Sequence, residues 1–405
     1  MSEVTMPNIN PVHPTVHHIS TIPANATQPV NLFVREYKGT GSGGTSKPVL
    51  MLHGRSVPAL PGFDLVLPPH GGSAQPDTSY SWAQALAGKG YDVYIMDLQG
   101  SGLSPRPQMD DQCNANPAQR GLLSPNPGTG TCSSTATYAH QLGNSQSEWD
   151  ELGTVVKFIR ARCNNQKVAF IGWSAASFVM GPYALQNSGD VTSLFLLAPM
   201  FPPDGRWSKN TAAPFAPPPG TGLPTQPEST PPAVFGFPMN LTSKAGLQAT
   251  ISDKDLADHV WQAIMDCDSI GQKWGGPIAG SPEGIMRWRN SYWWGWNTST
   301  VPHDSTLGNA IPVCIVYGDQ DKTANTPAEL GSNLHFSVPK LYEGIPGTDK
   351  LMFRVEGWDH NPVWDRQGAK ILQHMSWKWL DDKKVYGVDS GSWFRDADGV
   401  LAQVE

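Results

Sequence analysis

Three residues of this chain have the chemistry of a nucleophile, a base and an acid. They are Ser174, within the run GWSAA at 172–176, His360 and Asp321. A serine hydroxyl is a weak nucleophile until a base takes its proton, and a histidine base needs a carboxylate that orients its ring and stabilises its cation. The three residue types therefore predict nucleophilic catalysis in which Ser174 attacks, His360 accepts and returns the proton, and Asp321 orients His360.

The residues around Ser174 predict a sharp turn between a strand and a helix. Residues 168–171 form a short apolar run that favours a buried strand, and residues 177–186 can continue as a helix. Small residues two positions before and after the serine, Gly172 and Ala176, let the backbone turn tightly and present the hydroxyl at a helix N-terminus. Glycine is usual at the position of Ala176, and alanine still fits such a turn. A chance G-x-S-x-A run in a chain rich in glycine and alanine is the alternative.

Asp321 and His360 each follow a predicted strand. The apolar run at 311–317 leads into GDQD at 318–321, and the run at 351–355 leads into EGWDH at 356–360. In a doubly wound sheet, functional groups collect on loops at the carboxyl ends of the strands. We therefore expect both side chains at the same edge of the sheet as Ser174.

Other acids and histidines remain candidates for these roles. Asp319 and Asp204 are alternatives for the acid. His335 and His374 are alternatives for the base, although they lie in or near helix-like segments and fit surface positions better. His53 is interpreted as a structural residue that shapes its own loop.

The predicted elements follow the rhythm of an α/β protein. Predicted strands lie at 47–53, 92–97, 168–171, 191–197, 311–317 and 351–355, and predicted helices at 81–88, 147–162, 177–186 and 362–380. Strand, helix and strand at this spacing predict a mostly parallel, doubly wound sheet. Two more strands at 16–20 and 31–37 predict a hairpin at one sheet edge, and residues 381–405 are predicted to form a surface tail.

Residues 200–309 differ in composition from the rest of the chain. They contain proline clusters, helix-like pieces at 254–266 and 282–288, and an accumulation of tryptophans. We interpret this segment as a cap inserted into a core formed by 1–199 and 310–405. Trp293, Trp294 and Trp296 are candidates for an apolar or aromatic wall against the substrate, and packing in the core of a small cap is the alternative.

Four motifs, taken together and in this order, resemble those of the α/β-hydrolase superfamily. They are LHG at 52–54 after one strand, DLQGSGLS at 97–104 after the next, GWSAA at 172–176, and GDQD at 318–321 followed by GWDH at 357–360. The resemblance covers residues 30–200 and 310–380. It implies the α/β-hydrolase fold, with an inserted cap or lid.

The resemblance also implies a catalytic apparatus. Ser174, His360 and Asp321 would form the triad, and the backbone N–H groups of Arg55 and Ala175 would form the oxyanion hole that stabilises a developing alkoxide. The expected activity is hydrolysis of a carboxylic ester or lactone of an apolar or aromatic substrate through an acyl-enzyme. Carbon–carbon bond hydrolysis, acyl transfer and a non-catalytic ligand-binding role are the alternatives, because fold analogy does not separate them.

Composition argues against several other classes of protein. The net charge is -7 and the sequence has no lysine or arginine cluster, so no nucleic-acid partner is expected. No stretch approaches 18 uninterrupted apolar residues, and the first residues lack the pattern of a signal peptide, so we expect a soluble protein without a membrane span, with the cytoplasm slightly favoured. No spacing typical of metal ligands occurs, so neither a metal nor a cofactor is expected. The expected partner is a small-molecule or oligomeric ester-type substrate.

The cysteine count is odd, at five. Cys163 and Cys314 lie in predicted regular structure, where a buried free thiol is the usual state. Cys113 and Cys132 lie in a long loop rich in proline, glycine and asparagine, and they are candidates for a disulfide. Such a bond would indicate an oxidising compartment, which leaves the localisation open.

Overall fold

The strands and helices of the computed structural model follow most of the predicted positions. It describes residues 13–22, 29–40, 46–55, 57–69, 71–105, 143–205, 213–216, 235–237, 240–251, 253–268, 284–287, 291–326 and 335–404. The strands are β1 (Thr15–Thr21), β2 (Val30–Tyr37), β3 (Pro48–Leu52), β4 (Asp92–Met96), β5 (Gly143–Asn144), β6 (Val168–Trp173), β7 (Val191–Leu197), β8 (Phe235–Phe237), β9 (Asn240–Thr242), β10 (Ile285–Arg287), β11 (Ser291–Trp293), β12 (Val313–Gly318), β13 (Lys350–Val355), β14 (Gly391–Arg395) and β15 (Leu401–Gln403). The α-helices are α1 (Ala59–Phe63), α2 (Trp82–Ala87), α3 (Ser145–Arg162), α4 (Ser177–Gln186), α5 (Lys244–Gln248), α6 (Lys254–Cys267), α7 (Val338–Gly344) and α8 (Arg366–Asp382).

A 10-stranded sheet lies at the centre of the fold. Its strand order is β1-β2-β4-β3-β6-β7-β12-β13-β14-β15. The strands from β4 to β14 run parallel, and antiparallel pairs lie at both ends of the sheet. Every residue of β3, β4, β6 and β12 is buried, as expected for parallel strands that are covered on both faces. The predicted α/β fold with a mostly parallel sheet is confirmed.

Several helices begin at a residue whose side chain caps them. Ser81 accepts a hydrogen bond from the N–H of Gln84 at the start of α2, and Asp365 does the same for Gly368 at the start of α8. Such side chains satisfy N–H groups that have no partner inside the helix. The capped helices connect successive parallel strands, which is what brings the ends of those strands to one edge of the sheet.

Two predicted elements were wrong. Residues 381–405 are not a surface tail, because β14 pairs in parallel with β13 and β15 pairs with β14 at the sheet edge. The piece at 282–288 was predicted as helix-like, but Ile285–Arg287 within it form β10, antiparallel to β9. None of the three strands carries a continuous apolar run of the length seen in β3 or β4, and β10 and β14 pair with strands that are distant in the sequence, so local apolar spacing did not reveal them.

The segment at 200–309 contributes strands to two small sheets that are separate from the central sheet. β11 pairs with β8 and also with β5, which directly precedes α3. The hydroxyl of Ser145, the first residue of α3, donates to the carbonyl oxygen of Trp294 at 3.0 Å and accepts from its N–H at 2.8 Å. β11 and Trp294 are therefore bound to the residues at the beginning of α3. The division of the chain into a core and a cap stays a prediction.

The described helices also bear on membrane insertion. None of them combines the length and the apolar character that crossing a bilayer requires.

Cys163, Cys267 and Cys314 are buried free thiols. Cys113 and Cys132 lie outside the described residues, so their pairing stays a prediction.

Candidate active site

Ser174 lies at the sharp turn between β6 and α4. Its φ is 59°, a left-handed conformation that non-glycine residues adopt rarely and that is associated with functional sites. A Cβ on Gly172 would lie 3.2 Å from the Cβ of Ala176 and 3.0 Å from the Sδ of Met180. The missing side chain at Gly172 thus leaves the space that the methyl group of Ala176 needs, which explains how alanine fits this turn.

His360 connects the serine to an acid. Its Nε2 lies 2.9 Å from the Oγ of Ser174, and its Nδ1 lies 2.9 Å from the Oδ2 of Asp321. A carboxylate only accepts hydrogen bonds, so Nδ1 carries the proton and Nε2 is left to accept from the serine hydroxyl. This is the tautomer that a general base requires.

Asp321 is held by its own loop. The residue is buried, and its Oδ1 accepts hydrogen bonds from the N–H groups of Thr323 at 2.8 Å and Ala324 at 2.9 Å. Its other oxygen therefore faces His360 in a fixed orientation. A buried carboxylate that is hydrogen-bonded in this way can orient the histidine without moving.

The alternative acids and bases lie in other contacts. The Oδ1 of Asp319 accepts from the N–H of Gly357 at 2.7 Å, which ties together the loops after β12 and β13. His374 lies on α8, where its ring packs against Trp377 and Tyr386. Burial and nearby cations lower the pKa of His374.

The remaining alternatives lie at other positions of the fold. Asp204 is exposed in the loop after β7, and His335 is partly buried before α7. The carboxylate that contacts His360 is thus that of Asp321. The structure brings Ser174 and His360 together with Asp321, and not with these alternatives.

The loop after β3 lies against the serine. A Cβ on Gly54 would be 3.1 Å from the Cβ of Ser174, so a side chain there would crowd the nucleophile. His53 accepts from the N–H of Leu98 through Nε2 at 3.2 Å and donates through Nδ1 to the carbonyl oxygen of Gly54 at 2.6 Å. His53 therefore shapes this loop, as its structural interpretation suggested.

Arg55 and Ala175, the predicted oxyanion donors, border a common cleft. Ala175 belongs to the 3₁₀ turn Ser174–Ala176, at a helix start where N–H groups lack intrahelical partners. Burial lowers the pKa of the Arg55 guanidinium to about 9. We call this space the Glu148 cleft, and its walls include Arg55, Leu98, Glu148, Ala175, Val179 and Trp293.

The three predicted wall tryptophans occupy different places. Trp293 lines the Glu148 cleft and stacks on Phe178 with ring centroids 4.4 Å apart. Trp294 packs edge-on against Trp149, and the ring of Trp296 lies over Gly181. All three are almost fully buried, so packing accounts for Trp294 and Trp296, whereas Trp293 combines packing with a place in the cleft wall.

Two residues of the site had no signal in the sequence. The indole N–H of Trp173 donates to the carbonyl oxygen of His360 at 3.1 Å. Glu148, in the first turn of α3, accepts from the indole N–H of Trp293 at 2.7 Å. Both contacts join residues that are more than 140 positions apart, so no local pattern predicts them.

Metal-ligating residues do not cluster in the part of the chain that the structure describes. No group of three or more histidine, cysteine, aspartate or glutamate side chains is arranged there to hold an ion.

A comparison with known protein families identifies one that matches the chain. The model of the family described as "alpha/beta hydrolase fold" matches residues 64–367. No curated protein matches the chain by sequence.

Solved structures resemble the chain at a distance. A thermophilic esterase from Thermogutta terrifontis aligns with a TM-score of 0.45 and 12% identity, over 90% of this chain and 97% of the esterase. A serine hydrolase from Cycloclasticus zankles aligns with a TM-score of 0.45 and 12% identity, over 91% of this chain and 98% of the other. Similarities this distant carry no argument about activity.

Proposed function

Because the chain belongs to the α/β-hydrolase fold family, we propose that it is a serine hydrolase that cleaves a carboxylic ester or lactone through an acyl-enzyme. The observation that carries the proposal is the line of hydrogen bonds from Asp321 through His360 to the Oγ of Ser174, with both contacts at 2.9 Å. The proposed substrate is a small molecule or an oligomer of the ester type.

The first half of the proposed reaction forms the acyl-enzyme. His360 takes the hydroxyl proton at Nε2 while the Oγ of Ser174 attacks the carbonyl carbon. The carbonyl oxygen becomes an alkoxide, and the N–H groups of Ala175 and Arg55 are the proposed donors that stabilise it. The imidazolium then protonates the leaving alcohol, the carbon–oxygen bond breaks, and the acyl group stays on Ser174.

The second half releases the acid. Water attacks the acyl-enzyme while His360 again accepts a proton at Nε2, and the same N–H groups stabilise the second alkoxide. When that intermediate collapses, His360 returns the proton to Ser174. Asp321 stabilises the imidazolium in both halves.

The test is hydrolysis of nitrophenyl esters of increasing acyl length by the wild type and by Ser174→Ala at neutral pH. We expect turnover by the wild type and a loss of kcat on the order of 10⁴-fold or more in the variant, because removing a triad member leaves only binding and oxyanion stabilisation. Ser193→Ala is the matched control, since Ser193 is a buried serine of β7. It should keep its activity.

The outcome also separates the alternatives. If the wild type hydrolyses no ester while remaining folded, the ester hydrolase proposal is wrong, and carbon–carbon bond cleavage, acyl transfer to a second alcohol or ligand binding takes its place. If Ser174→Ala retains the wild-type rate, Ser174 is not the nucleophile. A burst of nitrophenol equal to the enzyme concentration would show the acyl-enzyme directly.

A further inference from the structure

The backbone of Ser174 is held by a contact outside its own turn. Ser174 has a φ of 59°, and such a conformation persists only where the surrounding structure determines it. Its carbonyl oxygen accepts from the N–H of Met200, in the loop after β7, at 3.2 Å. The turn that presents the nucleophile therefore depends on a loop that belongs to neither β6 nor α4.

Ser177, the first residue of α4, strengthens this contact with its side chain. The residue is 1% exposed. Its Oγ lies 2.9 Å from the carbonyl oxygen of Ser174 and 2.7 Å from that of Met200. Carbonyl oxygens only accept hydrogen bonds, so the hydroxyl group of Ser177 is the donor to both and shares its single proton between them. The hydroxyl group thus bridges the nucleophile and the loop after β7.

The loop after β7 is itself fixed at two points. The N–H of Ala198 donates to the carbonyl oxygen of Val316, in β12, at 2.7 Å. The carbonyl oxygen of Phe201 accepts from the N–H of Ser337, directly before α7, at 2.9 Å. Both contacts join backbone to backbone, so the residues between them form a firm anchor. Because β12 also leads into Asp321, the acid and the nucleophile are both positioned from this strand.

We infer that Ser177 is a positioning residue for the nucleophile. Its hydroxyl group fixes the peptide group that follows Ser174, and a fixed peptide group keeps the Oγ of Ser174 directed at the Nε2 of His360. The inference rests on the proposed function in one respect, because a position for the Oγ matters only if Ser174 attacks the substrate.

The size of the expected effect follows from the contacts that remain without the hydroxyl group. In Ser177→Ala the carbonyl oxygen of Ser174 keeps the N–H of Met200 and the backbone N–H of Ser177 as donors. The turn should therefore form but hold the Oγ less firmly. Because a small displacement of a reacting atom has a large effect on the rate, we expect kcat to fall on the order of tenfold.

A purely structural role of the hydroxyl group is the alternative, and Ser376 on α8 is the matched control for it. Ser376 is also a buried serine whose Oγ donates to the carbonyl oxygen three positions earlier, that of Gln373 at 3.2 Å. It accepts in addition from the indole N–H of Trp82 at 2.7 Å. Ser376→Ala should therefore lower the midpoint of thermal unfolding while keeping kcat.

The experiment measures two rates in the wild type, Ser177→Ala and Ser376→Ala. The first is steady-state hydrolysis of the best nitrophenyl ester, in which Ser177→Ala should lower kcat and leave KM nearly unchanged. The second is labelling by diethyl nitrophenyl phosphate. In that reaction the Oγ of Ser174 bonds to phosphorus, nitrophenolate leaves, and His360 takes the hydroxyl proton. The labelling rate should fall by a similar factor in Ser177→Ala.

If Ser177→Ala does not fold, Ser177→Cys takes its place. Cysteine at 177 is close to serine in volume and keeps only a weak donor, so both rates should again fall, by a smaller factor. The inference is overturned if a folded variant at 177 keeps the wild-type kcat and labelling rate. It is equally overturned if Ser376→Ala loses as much kcat as Ser177→Ala, because the hydroxyl group would then act through stability alone.

Labelling also separates failure of the inference from failure of the proposed function. If the wild type hydrolyses no ester, but Ser174 is labelled and Ser177→Ala slows the labelling, the ester hydrolase proposal fails and the role of Ser177 stands. Mass spectrometry of the labelled wild type identifies the modified residue. If that residue is not Ser174, the nucleophile is wrong and the role of Ser177 falls with it.

Discussion

Trp173, the residue before the nucleophile, fixes the backbone of the base. Its indole N–H donates to the carbonyl oxygen of His360, and its ring centroid lies 6.1 Å from that of the imidazole. The ring also packs edge-on against Trp364, whose N–H donates to the carbonyl oxygen of Pro61 at 2.9 Å. One rigid aromatic pair therefore supports both the turn at Ser174 and the loop of His360, which makes Trp173 a positioning residue.

Trp173→Phe should lower kcat more than it raises KM. Phenylalanine keeps an aromatic ring but has no N–H, so the carbonyl oxygen of His360 loses its donor and the imidazole is held less well for proton transfer. We expect kcat on the best nitrophenyl ester to fall on the order of tenfold, with KM nearly unchanged. Steady-state kinetics of the purified variant measures the split.

Trp379→Phe is the matched control for this prediction. Trp379 is also a buried tryptophan whose indole N–H donates to a backbone carbonyl, that of Leu194 at 3.1 Å. It lies on α8, and its loss should lower stability without lowering kcat. Equal kcat values in the two variants would show that Trp173 does not act through His360.

At the scale of residues, the sequence alone predicts those site residues that belong to motifs. Ser174, Asp321 and His360 were predicted because each stands at a strand end in a recognisable run, and the structure brings them within hydrogen-bond distance. Glu148 and Trp173 gave no signal, because their roles depend on contacts with residues far away in the chain.

At the scale of elements, the loops after β12 and β13 have to interlock for acid and base to meet. A Cβ on Gly318, the last residue of β12, would lie 2.0 Å from the carbonyl oxygen of Trp358. That oxygen accepts from the N–H of Gln320 at 3.0 Å, directly before Asp321. The absent side chain at Gly318 thus lets the loop of His360 lie against the loop of Asp321.

Gly318→Ala should separate the two loops. The methyl group meets backbone, which has no free rotamer, so the loop of His360 has to move away from Asp321. We expect a loss of stability of about 1–3 kcal/mol and a fall in kcat/KM on the order of 100-fold. Thermal unfolding and ester kinetics measure the two effects.

Gly189→Ala provides the comparison for that substitution, because a Cβ at Gly189 meets nothing within 4 Å. It should change neither activity nor stability by more than a few tenths of a kcal/mol. If Gly318→Ala is as active as Gly189→Ala, the close approach of the two loops does not set the geometry of the site.

Strands that carry a continuous apolar run were predictable as elements, and several strands without such a run were not. β7 coincides with its predicted range because its second half, residues 194–197, is a continuous apolar run of the kind that a buried parallel strand carries. β10 has only three residues and β14 reads GSWFR, and both form because a partner strand satisfies their backbone groups. That partnership is set by the tertiary structure and leaves little trace in local sequence.

At the scale of the whole molecule, Glu36 joins the edge hairpin to the rest of the sheet. Glu36 lies on β2 and is 1% exposed. Its carboxylate accepts from Tyr94 of β4 at 2.8 Å and from Arg162 at the end of α3 at 2.8 Å, and it lies 2.7 Å from the Nε2 of His17 on β1. Three elements besides its own strand thus meet at one buried acid.

The pKa of Glu36 reflects these contacts. Burial alone would raise it, but hydrogen bonds from His17, Tyr94 and Lys38 outweigh burial and lower it from 4.5 to about 2. A carboxyl group whose pKa is lower in the folded state stabilises that state above its unfolded pKa, and it loses this contribution as the pH falls toward its folded pKa.

The parallel sheet could be predicted from the sequence, whereas the strand pairing of the segment at 200–309 could not. The alternation of apolar strands and amphipathic helices fixes a parallel sheet, since such strands have to be covered on both faces. The proline-rich segment at 200–309 lacks that periodicity, so the pairing of its strand β11 with β5, directly before α3, was not predictable.

Because the pKa of Glu36 is lowered in the folded state, Glu36→Gln should make the protein less stable at neutral pH but not in strong acid. We expect the free energy of unfolding to fall by about 2 kcal/mol at pH 7, because the charged hydrogen bonds are lost while partly exposed cations screen the effect. The gap from the wild type should persist down to pH 4.5 and close between pH 4.5 and 2, where the wild-type carboxylate becomes protonated. Urea unfolding across this range measures it, with Glu343→Gln, which breaks an exposed ion pair to Lys340, as a control that changes stability by less than about 1 kcal/mol. A gap that does not change with pH would show that Glu36 stabilises the fold through packing and not through its charge.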